Sequence, residues 1–453
     1  MENVKPMPRV LIAGANSGCG KTSITCGILK ALVNRELHIQ SYKCGPDYID
    51  PMLHSHITGR NCRNLDPFFS TGEDLRYLVG KDSQDVDFSV TEGVMGYYDG
   101  VGISCEKSTW TVSKETGTPT ILIFNVKGMS HTMIPLIKGM VEYQDNPIAG
   151  VILNRCSKGM YQLMKPEIEE KLGISVVGYF PQKEGIGSRH LGLMTAAEID
   201  NLDEILSLLG ETAEECIDLD LLLEIGEKAE PLTAVKRPEV PVEKRAKIAV
   251  AWDKAFCFYY KENLEILEQL GAELCYFSPV NDVQLPEDTD GIYLGGGYPE
   301  TYRKELAENL SMKESICEAA KAGKPIIAEC GGFMYVCNHL VETDDSSMDM
   351  LGLIDTDVHM TKRLSMQFGY VTLNALCDTA FFKKNTNIRA HEFHYSKADK
   401  RGDSCEIKKY SGKCWNGLYV KENIMAGYPH FYFHNCREVA ERFVDMAEKI
   451  SKN

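Results

Sequence analysis

The sequence predicts an α/β protein made of two α/β domains joined by a linker. Strand-like runs alternate with helix-length segments from Pro8 onward, the alternation stops near residue 230, and it restarts near Lys247. Such alternation is typical of parallel sheets with crossover helices. A chain of 453 residues is also too long for one ordinary core. We therefore expect a first domain over 1–229, a linker over 230–246 and a second domain over 247–453.

The first domain begins with the strand-like run RVLIAGA, followed by the helical segment KTSITCGILKALVNREL. Further strand-like runs follow in the order HIQSYK, FSVTEG, PTILIFNV and IAGVILNR. The stretch KAEPLTAVKRPEVPVEKR is rich in proline and charge and has no apolar period, so it is predicted to be the linker.

The second domain repeats the pattern. Its strand-like runs are AKIAVAW, ELCYFSP, DGIYLGGG and KPIIAEC, and its helical segments are NLEILEQLGAE and KELAENLSMKESICEAAKAG. These elements predict a second sheet with crossover helices.

Composition excludes several classes of protein. A formal net charge of −16 without a Lys/Arg block argues against nucleic-acid binding. No apolar run has the length that a bilayer requires, and MENVKPMPRV lacks the apolar core of a signal peptide, so we expect a cytoplasmic protein without a membrane partner. The sixteen cysteines are scattered and form no C-x-x-C pair, which indicates reduced thiols.

A phosphate-binding loop is predicted between the first strand and the first helix. Residues 15–22, ANSGCGKT, have the required small residue, four variable residues, Gly-Lys and Thr. Backbone N–H groups of such a loop surround phosphates, Lys21 would reach the terminal phosphates, and Thr22 would ligate Mg²⁺. Asn154 ends a later strand and could read the adenine edge or cap a helix. The predicted nucleotide contacts are Ala15, Asn16, Ser17, Gly18, Cys19, Gly20, Lys21, Thr22, Ser23 and Asn154.

Acidic residues follow two further predicted strands. KCGPDYIDP contains Asp47 and Asp50, and VTEGVMGYYDG contains Glu92 and Asp99. Ligands collect beyond the carboxyl ends of strands in open parallel sheets, so Thr22, Asp47 and Glu92 are the expected metal ligands. Asp50 and Asp99 are equally compatible with ordinary turn acids.

Basic residues near this edge could hold a phosphate or a substrate carboxylate. Lys43 lies at the end of the second predicted strand, whereas Arg60 and Arg63 in TGRNCRNLD are as compatible with solvated surface groups. The predicted substrate or phosphate contacts are Lys43, Asp47, Tyr48 and Asp50.

Cys330 lies between the predicted strand KPIIAEC and the helical segment GGFMYV. A nucleophile elbow needs this position, with small neighbours such as Ala328 and Gly332, and a helix N-terminus favours the thiolate. A buried structural thiol is the alternative. The glycines of YLGGGYPE, one strand earlier, could present backbone N–H groups as an oxyanion hole.

A nucleophilic cysteine needs a base, usually histidine. MAGYPHFYFHN supplies His430 and His434, and RAHEFHYS supplies His391 and His394. The H-E-x-H spacing of the latter differs from the zinc-binding H-E-x-x-H, so a zinc site is not favoured there.

Eight stretches in order carry a family resemblance: GCGKTS, KCGPDYIDP, EGVMGYYDG, DKAFCFYY, LGGGYPE, AECGGFMY, RAHEFHYS and YPHFYF. Over nearly its whole length the chain resembles the glutamine-dependent cobyrinic acid a,c-diamide synthases of corrin biosynthesis. The resemblance implies an N-terminal P-loop NTPase domain similar to dethiobiotin synthetase and a C-terminal class I glutamine amidotransferase domain.

The resemblance also implies residue roles. Cys330 would attack the side-chain amide of glutamine, His430 would be its acid/base partner, and Gly296 and Gly297 would be oxyanion donors. ATP and Mg²⁺ would convert a tetrapyrrole carboxylate to an acyl phosphate, which ammonia would attack. The implied reaction occurs on the a and c acetates of cobyrinate in cobalamin biosynthesis.

One departure concerns the histidine. Many class I amidotransferases carry glutamate two residues after it, whereas His430 is followed by Phe431 and Tyr432. A water, a backbone carbonyl or Glu392 could orient His430 instead.

Several alternatives remain open at this point. Cobyric acid synthases share the architecture, but GPDYIDP and EGVMGYYDG fit the a,c-diamide enzymes better. Nickel-sirohydrochlorin and hydrogenobyrinate are alternative substrates, and a homodimer is compatible with the sequence. A nucleotide switch fused to an inert amidotransferase-like module is an alternative of a different class, against which Cys330, the glycine-rich turn and His430 argue jointly.

Overall fold

The computed structural model describes residues 4–182, 198–233, 235, 243–363 and 367–452, and it divides the chain into two units, Met1–Arg237 and Pro238–Asn453. The strands described in the first unit are β1 Val4–Lys5, β2 Arg9–Gly14, β3 Ile39–Cys44, β4 Arg63–Leu65, β5 Phe88–Glu92, β6 Thr120–Asn125, β7 Ile148–Asn154, β8 Ser175–Phe180 and β9 Leu232–Thr233. The helices are α1 Lys21–Asn34, α2 Ile49–Thr58, α3 Gly72–Asp82, α4 Thr109–Glu115, α5 Met133–Glu142, α6 Lys158–Leu172, α7 Leu202–Cys216 and α8 Leu219–Glu227.

The main sheet of the first unit is parallel. Its seven strands within the described ranges lie in the order β4-β3-β5-β2-β6-β7-β8. Successive side chains of the central strand β2 point to opposite faces, so Val10 and Ile12 join one core cluster and Leu11 and Ala13 join another. Both faces are buried, which is the reason that RVLIAG reads as a continuous apolar run after its arginine.

The described part of the second unit contains three sheets. Its described strands are β10 Ala246–Ala251, β11 Ala272–Phe277, β12 Gly291–Leu294, β13 Ile326–Glu329, β14 Cys337–Val341, β15 Ser347–Asp349, β16 Ile354–Met360, β17 Gly369–Ala375, β18 Asn387–Glu392, β19 Ser396–Ala398, β20 Cys405–Lys409, β21 Cys414–Gly417, β22 Tyr419–Lys421, β23 Ile424–Gly427 and β24 His430–Phe431. The helices are α9 Lys261–Gln269, α10 Arg303–Glu308, α11 Leu310–Lys321, α12 Gly331–Val336 and α13 Arg437–Ser451, with a short 3-10 helix over Phe433–Asn435.

The central sheet of this unit has the order β11-β10-β12-β13-β23-β22, in which all pairs are parallel except β22 with β23. An antiparallel sheet, β21-β20-β17-β18-β24, and a mixed sheet, β15-β14-β16-β19, complete the described part of the unit. The central order brings the carboxyl ends of β12 and β13 and the chain after β23 to one edge. The predicted α/β class is therefore confirmed, and two sheets are present that the sequence patterns did not predict.

The structure differs from the predicted linker at its first residues. Leu232 and Thr233 pair with Lys5 and Val4 in a two-stranded antiparallel sheet, and Leu232 packs into a core cluster of the first unit because its side chain is apolar. Residues 234 and 236–242, the middle of the predicted linker, lie outside the described residues. No helix in the described ranges is long and apolar enough to cross a membrane.

Candidate active sites

The phosphate-type loop lies between β2 and α1, as its sequence predicts. Gly18 and Gly20 have φ values of 75° and 97°, which a side chain would strain. A Cβ on Gly20 would lie 2.2 Å from Asn154 Nδ2. Asn154, at the end of β7, donates from Nδ2 to the carbonyl oxygen of Cys19 at 2.6 Å and accepts from its neighbour's N–H. These contacts support a role for Asn154 in holding the loop, and its contact with a base stays a prediction.

The remaining loop residues suit backbone recognition of phosphates. The Cys19 side chain is buried, with its sulfur 2.3 Å from where a Cβ on Gly14 would lie. Lys21 begins α1, and its Nζ donates to the carbonyl oxygen of Met95 at 2.5 Å, while burial lowers its pKa. Lys21 is thus held against the segment that follows β5, at the edge where a phosphate would bind.

A buried polar cluster lies beside the loop. Thr22 Oγ1 donates to Glu92 Oε1 at 2.9 Å and lies 3.3 Å from Asp50 Oδ2. Lys43 Nζ donates to Asp50 Oδ2 at 2.5 Å and to Glu92 Oε1 at 2.9 Å. The sheet order β3-β5-β2 explains this cluster, since it brings the carboxyl ends of three neighbouring strands together.

Burial and charge act against each other in this cluster. Burial alone would lower the pKa of Lys43, but the carboxylates of Asp50 and Glu92 outweigh it and raise that pKa well above the usual value. Burial would raise the pKa of Glu92, but Lys43 and His54 outweigh it and lower that pKa. Burial, together with the charge of Glu92, raises the pKa of Asp50 to about 7. Once Asp50 ionises, the two carboxylates of Asp50 and Glu92 are balanced by the cations of Lys43 and His54, so an added cation is favoured by the oxygen atoms of the cluster rather than by its net charge.

The oxygen atoms of the cluster fit Mg²⁺. Asp50 Oδ1 is buried and has no hydrogen-bond partner among the described residues. A hydroxyl and two carboxylates are hard oxygen ligands, and Mg²⁺ at nucleotide sites usually takes few protein ligands besides phosphates and water. Thr22, Asp50 and Glu92 could thus hold the ion.

Asp47, an expected metal ligand, is placed differently from Asp50. Asp47 Oδ1 accepts hydrogen bonds from the backbone N–H groups of Ile49 and Asp50, at the start of α2. Its other oxygen lies 3.8 Å from Lys43 Nζ. Asp47 is therefore engaged at a helix terminus, and the carboxylates that contact Thr22 are those of Asp50 and Glu92.

Other predicted residues around this edge have local partners. Tyr48 immediately precedes α2, Asp99 Oδ2 accepts from the N–H of Gly96 at 2.9 Å, and Ser23 lies in the first turn of α1. Arg63 is buried, with Nε 3.5 Å from Asp82 Oδ2, and Arg60 Nε lies 3.4 Å from Gln40 Oε1.

Sequence reasoning missed His54. Its Nε2 lies 2.8 Å from Glu92 Oε2, and both side chains are fully buried. Burial acts to lower the pKa of His54, but its contacts with Cys26, Cys62 and Glu92 outweigh this and raise it well above the usual value. His54 lies one helical turn after Asp50, so the i, i+4 spacing on α2 was a signal that could have indicated it.

In the second unit, Cys330 lies between β13 and α12 with φ 50° and ψ −100°. Positive φ is strained for a residue with a side chain, and a nucleophile elbow has this strain. A Cβ on Gly332 would lie 2.2 Å from the carbonyl oxygen of Leu294, so glycine is required for this close approach. The Cys330 N–H donates to the carbonyl oxygen of Gly427 at 2.8 Å, which ties the elbow to the end of β23.

Burial opposes the thiolate form that a helix N-terminus is expected to favour at Cys330. Cys330 is 6% exposed, and burial, followed by the charges of Glu300 and Glu392, raises the pKa of its thiol above the usual value. The adjacent helix α12 has only six residues. The sulfur of Cys330 lies 3.8 Å from the carbonyl oxygen of Phe393.

The glycine-rich turn after β12 lies against both Cys330 and His430. A Cβ on Gly331 would lie 3.0 Å from the backbone nitrogen of Gly297, and a Cβ on Gly296 would lie 2.4 Å from His430 Cε1. The turn is held by hydrogen bonds of 3.0 Å from the N–H groups of Cys257 and Phe258 to the carbonyl oxygen of Gly296. The structure thus brings the predicted oxyanion turn, the cysteine elbow and His430 to one edge of the sheet.

His430 is the first residue of β24 and pairs with His391 of β18. It is 2% exposed, and burial, together with nearby His391 and His394, lowers its pKa to about 3. A neutral imidazole can accept a proton from a thiol. His430 Nδ1 lies 3.9 Å from Glu329 Oε2.

Glu392, a predicted candidate for orienting His430, faces another histidine. Its Oε2 lies 3.5 Å from His394 Nε2, and His394 Nδ1 lies 2.9 Å from the carbonyl oxygen of Ser396. The ring of His394 stacks on Tyr428 with centroids 3.6 Å apart.

Comparison with known proteins assigns a domain family to each part of the chain. Residues 10–191 match the CobQ/CobB/MinD/ParA nucleotide binding domain family, and residues 247–438 match the CobB/CobQ-like glutamine amidotransferase domain family. Among solved structures, PurLQS from Thermotoga maritima is 19% identical over 45% of this chain and 97% of its own, with a TM-score of 0.32. MinD from Aquifex aeolicus is 14% identical over 49% of this chain and 95% of its own, with a TM-score of 0.30.

Curated relatives match almost the full length. Cobyrinate a,c-diamide synthase from Caldanaerobacter subterraneus subsp. tengcongensis is 39% identical over 98% of this chain and 99% of its own. The enzyme of that name from Clostridium tetani is 42% identical over 94% of this chain and 97% of its own. The one from Thermoplasma volcanium is 37% identical over 98% of each chain. The chain therefore belongs to the cobyrinate a,c-diamide synthase family of glutamine-dependent amidotransferase ligases, as the eight sequence stretches predicted.

Proposed function

We propose that this protein uses ATP and glutamine to amidate the a and c acetate carboxylates of cobyrinate in cobalamin biosynthesis. The observation that supports the proposal is that one chain holds two arrangements of residues, each suited to one half of this reaction. One is a strained cysteine whose following glycine lies against a glycine turn that also lies against a buried histidine, and the other is a phosphate-type loop beside a buried Thr-Lys-Asp-Glu cluster.

In the second unit, the Cys330 sulfur would attack the side-chain carbonyl carbon of glutamine. Because the thiol pKa is raised, its proton must leave during the attack, and the neutral imidazole of His430 would take it. The developing oxyanion would accept hydrogen bonds from backbone N–H groups of the turn, of which Gly297 lies nearest the elbow, with Gly296 beside it.

Collapse of that intermediate would break the C–N bond. His430 would return the proton to the leaving nitrogen, releasing ammonia and leaving a thioester on Cys330. Water would hydrolyse the thioester to glutamate and restore the thiol. The net change is glutamine and water to glutamate and ammonia.

In the first unit, the loop from Ala15 to Thr22 would bind the ATP phosphates, with Lys21 exchanging the Met95 carbonyl for a phosphate oxygen. Mg²⁺ held by Thr22, Asp50 and Glu92 would neutralise phosphate charge. Transfer of the terminal phosphoryl group to the carboxylate would give an acyl phosphate and ADP. Attack of ammonia would then form the amide and release phosphate.

The test is incubation with ATP, Mg²⁺ and glutamine against cobyrinate, hydrogenobyrinate and nickel-sirohydrochlorin, followed by mass spectrometry. Two amidations of cobyrinate, with one ADP and one glutamate formed for each, are expected. Amidation of nickel-sirohydrochlorin or hydrogenobyrinate in preference to cobyrinate would overturn the substrate assignment. Failure to amidate any of them, with glutamine left intact, would support a nucleotide switch with an inert amidotransferase-like module.

A further inference from the structure

Glu329, the last residue of β13 and the neighbour of Cys330, carries a buried carboxyl group that the proposed glutaminase steps do not use. It is 2% exposed. The other residues of the strand, Ile326 to Ala328, are apolar and fill the core on both faces of the sheet. Burying a carboxyl group costs several kcal/mol unless it gains partners, so the contacts of Glu329 indicate its use.

Those contacts converge on the strand that carries His430. Glu329 Oε1 accepts the backbone N–H of Phe431 at 3.3 Å, and Oε2 accepts the hydroxyl of Tyr293 at 3.2 Å. The same Oε2 lies 3.9 Å from His430 Nδ1. Because Phe431 follows His430, Glu329 is hydrogen-bonded to the backbone next to the predicted base, and its second carboxyl oxygen lies near the ring of that base.

The side chain at the place of the usual glutamate, and that of the predicted candidate Glu392, are engaged elsewhere. Tyr432, at the position where glutamate is common, packs its buried ring edge-to-face on Tyr260 with centroids 5.1 Å apart. The carboxyl group of Glu392 faces His394.

We propose that Glu329 is the positioning residue of the glutaminase centre: its carboxylate orients the His430 ring and stabilises the imidazolium formed when His430 takes the Cys330 proton. This inference rests on the proposed roles of Cys330 and His430. The His430 Nδ1–H would donate to Glu329 Oε2, leaving Nε2 to accept the thiol proton. Hydrogen bonds of catalytic groups commonly shorten when substrate binds, so we expect the 3.9 Å separation to close to hydrogen-bond distance with glutamine bound.

The role requires Glu329 to be ionised. Burial raises its pKa from 4.5 to about 8, although the Phe431 N–H and the Tyr293 hydroxyl act in the opposite direction. Glutaminase kcat should therefore rise as pH passes through about 8. The titratable groups that face the carboxyl group from the surrounding elements are Tyr259, Tyr293, Cys330, His430 and Cys436.

The decisive variant is Glu329→Gln, which keeps an acceptor for the Phe431 N–H and removes the charge. We expect glutaminase kcat to fall by about 100-fold or more, with KM for glutamine changed by less than about threefold. The rise of kcat near pH 8 should disappear, and alkylation of Cys330 by a diazoketone analogue of glutamine should slow in parallel. Glu329→Asp should restore part of kcat.

Two controls distinguish a role of Glu329 in orienting His430 from a role in stabilising the fold. Glu262→Gln alters another fully buried glutamate of the same unit, on α9, and should leave kcat and its pH profile unchanged. ATP-dependent amidation driven by ammonium salt bypasses Cys330 and should persist in Glu329→Gln, which shows that the variant is folded.

Near-wild-type kcat in Glu329→Gln, or an unchanged rise near pH 8, would overturn the inference. If Glu329→Gln does not fold, a wild-type pH profile that lacks the rise near pH 8 would overturn it equally. A wild-type protein without glutaminase activity would instead refute the proposed function. Glutaminase and alkylation assays need no tetrapyrrole, so the two failures are distinguishable.

Discussion

The side-chain amide of Asn154 occupies the space that a side chain on Gly20 would need. Asn154 Nδ2 lies 2.6 Å from the carbonyl oxygen of Cys19 and 2.2 Å from the position of a Cβ on Gly20. The end of β7 thus holds the loop in a shape that places its N–H groups and α1 for phosphate binding.

Gly20→Ala should therefore weaken nucleotide binding while leaving the glutaminase centre intact. The added methyl group would meet Asn154, and alanine is strained at φ 97°. We expect ATP affinity, measured by calorimetry, to fall by about tenfold or more, since a misplacement of about one ångström can cost a preorganised site up to about a hundredfold in rate. Gly173→Ala, at φ 64° with open space around its Cβ, controls for strain alone and should keep wild-type affinity. Wild-type affinity in Gly20→Ala would contradict the steric argument.

Lys43→Met should destabilise the first unit. The substitution leaves Asp50 and Glu92 buried beside each other without their shared cation. Removing one partner of a buried ion pair costs about 3 kcal/mol or more. Urea unfolding followed by a spectroscopic probe of the first unit measures the change.

A double variant tests whether Lys43 stabilises the fold through its contact with Asp50. Lys43→Met combined with Asp50→Asn removes one of the two carboxylates, so it should recover part of the lost free energy of unfolding. Additive losses in the double variant would show that Lys43 does not stabilise the fold through Asp50.

The resting Cys330 thiol should react slowly with iodoacetamide. Its pKa is raised by burial and nearby carboxylates, and the thiolate is the reactive form. The exposed Cys414 of the same unit is a matched comparison. Peptide mass spectrometry near neutral pH should show Cys414 alkylated at least about tenfold faster than Cys330. Faster alkylation of Cys330, with a plateau at neutral pH, would mean that its pKa is lowered.

The stability of the second unit should depend on pH through Glu329. A carboxyl group whose pKa rises from 4.5 to about 8 on folding binds more protons in the folded state within that window. The free energy of unfolding therefore falls as pH rises from about 4.5 to about 8. A tenfold difference in proton affinity between the folded and unfolded states corresponds to about 1.4 kcal/mol.

Glu329→Gln removes this titration. Relative to wild type, the variant should gain stability as pH is raised, by several kcal/mol across the window. Urea midpoints at both ends of the window measure the gain. A stability difference independent of pH would show that the Glu329 pKa is not raised.

Local sequence was sufficient for the α/β class and for the two most specialised turns. The buried runs RVLIAG and IIAE form β2 and β13, and the small residues after them permit the phosphate-type loop and the strained elbow at Cys330. These features depend on backbone conformations of a few consecutive residues, and glycine, lysine and the flanking apolar runs reveal such conformations directly.

Tertiary structure decided which side chains meet. Asp50 rather than Asp47 contacts Thr22, because Asp47 is engaged at the start of α2, and His54 reaches Glu92 from the same helix. The two additional sheets of the second unit likewise depend on pairings between strands far apart in sequence.

The partner of His430 is the clearest case. Its sequence neighbour Tyr432 packs into the core, while Glu329, about a hundred residues earlier, lies against it because β13 is placed between β12 and β23. The sequence by itself determined the chemical groups and the turns that present them. Strand order decided which carboxyl group faces the histidine. That order results from many weak core contacts between residues far apart in sequence, which local sequence patterns do not reveal.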